Sequence, residues 1–125
     1  MATQYEGLGP QDVTSVNFSD NLLAGDFPRE EEGCTIQTGH AAMTRGTILE
    51  TGAVAGQVKA YDGTGTIVGV LAVATPITTG EYKAFMYTTG EFNEALMVGL
   101  TLGNEATNRA ALRAMNIYPK PVSTV

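Results

Sequence analysis

Tryptophan is absent from this chain of 125 residues, and histidine and cysteine occur once each, as His40 and Cys34. Catalytic triads need a nucleophile, a base and an orienting group together, and zinc sites need three or four ligands. Most such constellations therefore lack their parts here. Charge is also scarce, at 16% of residues, and basic charge most of all: seven Lys and Arg stand against thirteen Asp and Glu. Without a basic patch to neutralise phosphates, neither nucleic acid nor an anionic membrane suits the chain as a direct partner. The longest apolar run, Ile67 to Ala74, falls far short of a bilayer's thickness. The first residues show neither the basic nor the apolar stretch of a secretory signal. Cys34 has no second cysteine to pair with inside the chain, so it says nothing of an oxidising compartment. What remains is largely uncharged: 43% hydrophobic residues, 15 glycines and many threonines, enough at this length for one domain with one surface of mild polarity.

The net charge of −6 sits wholly within residues 1–33, which carry seven acids against Arg29 alone. This stretch reads as a flexible arm, and residues 34–125 as a β-rich domain. Gly7, Gly9, Pro10, Gly25 and Pro28 interrupt the arm, and its apolar residues are scattered anchors: Val16, Phe18, Leu22, Leu23 and Phe27. Ordering the backbone costs about 1–2 kcal/mol per residue. A fully buried anchor returns about 1.5–3 kcal/mol. Five anchors over 33 residues cannot balance that cost, so the arm needs a partner strand to order it. Glu30-Glu31-Glu32 closes the stretch and reads as a solvated charge run, because calcium loops alternate their acids around a glycine bend.

From Thr35 onward the pattern is β. Thr47–Glu50 and Gln57–Tyr61 have strand character, and Asp62-Gly63 marks a tight turn. Ile67–Ala74 is continuously apolar, as expected of a strand buried on both faces. Tyr82–Tyr87 alternates, with Tyr82, Ala84 and Met86 opposite Lys83, Phe85 and Tyr87; Gly90 then separates it from Glu91–Asn93 and Ala95–Val98. One helix is expected near the C-terminus, capped by Asn104 or Thr107, with Glu105 at its positive end and Ala111, Leu112 and Met115 as its apolar stripe. Ile117-Tyr118 should pack behind it, with Pro119 and Pro121 ending the helix. The fold class is mainly β with one short C-terminal helix and an extended N-terminal arm.

Few residues invite a chemical reading. Gly63-Thr64-Gly65 with Gly69 has the spacing G-x-G-x-x-x-G, and neither a lysine nor a helix follows, so these are turn glycines rather than a phosphate loop. His40 lacks partners within the chain; only assembly around a three-fold axis would make it a ligand, and a structural role is expected. Glu91 and Glu94 are close in sequence, but nothing places them in a cleft as an acid–base pair. No catalytic, cofactor-binding or metal-binding residue is expected.

Six stretches carry a resemblance: Asn21–Pro28, Gly39–Leu49, Tyr61–Thr64, Val68–Ala74, Tyr87–Leu96 and Ala110–Tyr118. In this order and spacing the chain resembles the head decoration, or capsid-stabilising, proteins of lambda-like tailed bacteriophages. The resemblance implies a β-clip-like protomer and a homotrimer at three-fold positions of the expanded head. It also implies cementing of the capsid against the pressure of packaged DNA, with the major capsid protein and the protein itself as partners. The location would be the outer surface of the virion, reached from the host cytoplasm during assembly. It implies, too, that the arm adds to a capsid-protein sheet, with Val16, Phe18, Leu22, Leu23 and Phe27 as its capsid-binding residues. Strand addition draws affinity from main-chain hydrogen bonds, which fits a chain poor in reactive side chains. Met86, Met97, Phe85 and Phe92, with little charge to cover them, favour burial between subunits. The alternative is a virion surface module that binds a host surface or carbohydrate, for which exposed tryptophan or a tyrosine cluster would be expected.

Overall fold

The structure, a computed structural model, describes residues 22–25 and 27–121. Along this stretch run β1 (Glu30–Ile36), β2 (Ile48–Thr51), β3 (Gln57–Ala60), β4 (Ile67–Leu71), β5 (Tyr82–Asn93), a single 3₁₀ turn (Glu94–Leu96), α1 (Glu105–Ala114) and β6 (Ile117–Lys120). The chain is mainly β with one short helix near the C-terminus, as the sequence led us to expect. Strands β1, β3, β2, β4 and β5 follow one another in hydrogen-bonded order, and β5 pairs back onto β1, closing a five-stranded barrel. β1 and β3 run parallel; the other barrel pairs are antiparallel. Beyond the barrel, β5 continues past Gly90 and takes up β6 in parallel, with Gly90 opposite Ile117 and Phe92 opposite Pro119.

Two hydrophobic cores lie on the two sides of the barrel wall. Ile36, Met43, Leu49, Val58, Leu71, Ala84 and Met86 fill the lumen. Ile48, Val70, Tyr87, Phe92, Leu112 and Ile117 lead the second core, between the wall and the layer made by α1 and β6. Successive strand residues point to opposite faces, so Ile48 serves the outer core and its neighbour Leu49 the lumen; Val70 and Leu71 divide the same way. Double coverage is why β4 reads as an unbroken apolar run and why Ile48 and Leu49 of β2 are apolar side by side. The run expected to reach Ala74 ends as strand at Leu71, however, and Val73 is exposed. The alternation of β5 is as expected, with Ala84 and Met86 in the lumen and Lys83 and Phe85 exposed on the outside.

Four readings need correction. Gly90 does not break β5: the strand runs through it at φ +144°, and glycine is needed there because a side chain would meet the ring of Phe92 at 2.8 Å and Arg29 at 3.0 Å. Ile117-Tyr118 does more than pack behind the helix, since it begins β6; Pro119 is tolerated because β6 is an edge strand with little need of its amide. The helix stripe is also different. Ala111 is exposed, and the buried helix residues are Leu112 and Asn108. Met86, Met97 and Phe92, assigned to a subunit interface, are buried within the protomer, leaving Phe85 as the exposed member of that group.

Asn108 anchors α1. Its Oδ1 accepts from the Tyr61 hydroxyl at 2.6 Å, and its Nδ2 donates to the carbonyls of Leu100 and Leu102, each at 2.7 Å. Asn104, rather than Thr107, caps the helix, its Oδ1 accepting from the Thr107 amide at 3.1 Å. Asn108→Ala should cost roughly 1–3 kcal/mol by leaving buried partners unpaired. It should be non-additive with Tyr61→Phe, whereas Ala111→Ser should stay within about 0.5 kcal/mol of wild type. Urea denaturation of the wild type, the two single variants, their double variant and the Ala111→Ser control checks it.

Candidate functional site

The acidic run is part of the barrel rather than a tail. Glu30, Glu31 and Glu32 form the first half of β1, all exposed, opposite Thr89, Tyr87 and Met86 of β5. β1 outruns its other neighbour: β3 pairs with it only at Thr35 and Ile36. Next to this place Gly33, Cys34, Thr35, Gly56, Lys83, Ala84 and Phe85 line an open groove of about 370 Å³. A second groove, of about 220 Å³, shares Lys83, Ala84 and Phe85 and adds Val73 and Thr75. Phe85, 55% exposed, is thus a ridge between two grooves, with Val73 and Ile77 as further exposed apolar residues.

The apolar residues assigned to the arm divide. Val16 and Phe18 lie outside the described residues. Leu22 is 2% exposed and belongs to the outer core. Leu23 bridges Phe92 in antiparallel sense, with the Asn93 amide donating to the Leu22 carbonyl and the Ala24 amide to the Glu91 carbonyl. Phe27 packs edge-on against Tyr118 at 5.0 Å between ring centres. The second half of β5 leaves the barrel with both edges open; β6 covers one and residues 22–24 the other. That is why Leu22, Leu23 and Phe27 are engaged by the chain's own domain.

The candidate chemical residues are spread out and satisfied. His40 is buried, with Nδ1 2.8 Å from the Ala41 carbonyl and Nε2 3.4 Å from the Thr78 hydroxyl, beside the Tyr82 ring. Burial, and next the charge of Glu32, push the Cys34 thiol above its ordinary range, away from the reactive thiolate. Glu91 pairs with Lys120 at 3.2 Å and Glu94 with Arg109 at 2.9 Å, so the two glutamates serve different partners. Arg109 also holds Glu105 at 2.8 Å, pinning the 3₁₀ turn to the start of α1. Among the described residues, no three His, Cys, Asp or Glu side chains gather as a metal site would require.

The most concentrated polar cluster was not singled out in the sequence. Glu50, 1% exposed, accepts from the Gly65 amide at 3.0 Å and pairs with Lys59 at 3.2 Å. Asp62 stands 3.7 Å from the same ammonium and accepts from the Thr64 hydroxyl and amide at 2.7 and 3.0 Å. Gly63 adopts φ +101°, and a side chain at Gly65 would strike the Glu50 carboxylate at 2.3 Å. The glycines of this loop therefore fold it over a buried carboxylate, which would repel a phosphate. The available signals were a carboxylate, Glu50, directly after Ile48-Leu49 in a strand and the turn at Asp62-Gly63.

The described barrel thus keeps its polar side chains engaged within the fold and carries an acidic strip and exposed apolar residues on its exterior. The family model of bacteriophage lambda head decoration protein D matches residues 13–117, which include every element of the barrel, and the chain belongs to that family. No curated protein matches it. The role of the family is structural, decoration of the phage capsid, and its place is the virion head.

The Glu50 cluster has a pH signature. The Thr64 hydroxyl, then its amide, hold Asp62 below its ordinary value, so its stabilisation is present above about pH 4 and lost as pH falls through its folded value. Hydrogen bonding to Glu50 raises Lys59, whose stabilisation is complete below 10.5 and lost as pH rises through its folded value. Melting temperatures taken from pH 2 to 12 (about ten points) should fall at both ends. Asp62→Asn should flatten the acid limb and Lys59→Met the alkaline limb.

Proposed function

We propose that this protein cements the phage head: it binds as a trimer at three-fold positions on the outside of the expanded capsid and secures it against packaged DNA. The observation carrying this reading is the family match across the whole barrel, on a domain whose polar side chains are occupied in holding its own loops. Phe85 and Val73, exposed along one groove, offer the subunits an apolar contact surface, and three-fold assembly turns three modest capsid contacts into avidity. The major capsid protein is the partner, met in the host cytoplasm as heads mature.

Residues ahead of Leu22, with Val16 and Phe18 among their apolar side chains, add further capsid contacts. The described core begins at Leu22, so a truncation that stops short of it keeps every described residue of the barrel and of both cores. Purified protein should co-sediment with expanded empty heads and not with unexpanded ones, and light scattering should give a trimer; failure to bind either head form would sink the reading. Removing residues 1–20 should weaken head binding while leaving the melting temperature within a few degrees. Leu22→Ala should instead destabilise the domain by roughly 2–5 kcal/mol.

A further inference from the structure

The upper half of β1 has an open edge. The Gln37 amide donates to the Val58 carbonyl, so Gln37 turns its backbone groups toward β3. Backbone direction alternates along a strand, so Thr35, Gly33 and Glu31 face the same way. β3 meets Thr35 and ends its pairing there, leaving Glu31 and Gly33 without a strand beside them among the described residues. Among the described residues the place is open: Gly33, Thr35 and Gly56 line the groove beside it, and a side chain placed at Gly33 or at Gly56 would meet no atom within 4 Å.

Edge strands are usually protected against unwanted pairing, often by charge. Here the protection is of one sign, and it selects the occupant. Another copy of β1 would bring three more glutamates against Glu30, Glu31 and Glu32. The chain's own first 28 residues hold no Lys or Arg at all, so they too are repelled, whichever copy supplies them. A strand bearing basic residues is attracted. At the lower end of the groove Lys83, its ammonium 3.1 Å from the Thr35 hydroxyl, favours an acidic or carbonyl group instead.

We propose that the open edge of β1 at Glu31 and Gly33 accepts an extended, Lys- or Arg-bearing segment of the capsid protein as an added strand, continuing the position that β3 vacates. The proposal rests on the capsid-decoration reading but assigns the domain a second role: the barrel receives a strand, in addition to any contact made by the residues ahead of it. Main-chain hydrogen bonds to Glu31 and Gly33 provide affinity, and the glutamates provide selection and salt dependence.

The test uses the full chain and expanded empty heads assembled from the capsid protein of the same phage. Glu30→Lys/Glu31→Lys/Glu32→Lys should weaken binding by about tenfold or more at low salt. The milder Glu31→Gln/Glu32→Gln, which keeps side-chain size, should lower the salt dependence of binding. Hydrogen exchange should show the Glu31 and Gly33 amides protected only when heads are present. Unchanged affinity in both variants with unchanged melting temperatures would overturn the proposal, as would unprotected amides in the bound wild type. If wild-type protein does not bind heads, the decoration reading itself fails; if it binds and the edge variants bind equally, only the edge assignment falls.

Discussion

The architecture depends on one strand belonging to two layers. β5 spans twelve residues; its first half closes the barrel between β4 and β1, and its second half leaves the barrel to hold β6 on one side and Leu23 on the other. Without that departure, β6 would have no strand to pair with, α1 would lose the strand it packs on, and the outer core of Ile48, Val70 and Tyr87 would lose that cover. Gly90 permits it. Any side chain there would collide with Phe92, the largest fully buried residue of the outer core. A single backbone position thus decides whether the barrel wall has a second core.

How much of this was legible follows from the same division. Periodicity reports which faces of a segment are buried, so β2, β4 and the first half of β5 could be read directly. It does not report where a strand changes partners, and Gly90 looked like a break for that reason. β6 was hidden by Pro119, a residue that argues against a strand unless the strand is an edge. Asn108 was hidden by its polarity: its burial is compensated by three hydrogen bonds, two of them to carbonyls that no sequence pattern marks. Composition separated the acidic first quarter from the rest, but it could not see that Leu22 is a core residue, since a lone leucine pair among glycines carries no period.

The site was legible mainly by elimination. One histidine and one cysteine left little for catalysis, and the family resemblance pointed to a capsid surface. The geometry that makes the exterior selective was not available from the sequence. It lies in β1 being longer than the partner beside it and in Gly33 and Gly56 leaving room there. Three consecutive glutamates mean one thing in a solvated tail and another along an open sheet edge, where they discriminate by sign. The loop over Glu50 shows the converse, in which glycines, an acid and a lysine in close company are fully occupied by the fold.

The seating of residues 22–24 also has a mechanical side. Leu23 lies antiparallel to Phe92, held by the amides of Ala24 and Asn93, with Leu22 inserted into the core beside them. A pull on Leu22 directed along β5 would load those hydrogen bonds together, in shear, instead of peeling them one at a time. The load passes into the longest of the described strands, which is itself bonded to β1, β4 and β6. A protein tethered through its first residues would in this way spread a pull across the whole barrel wall.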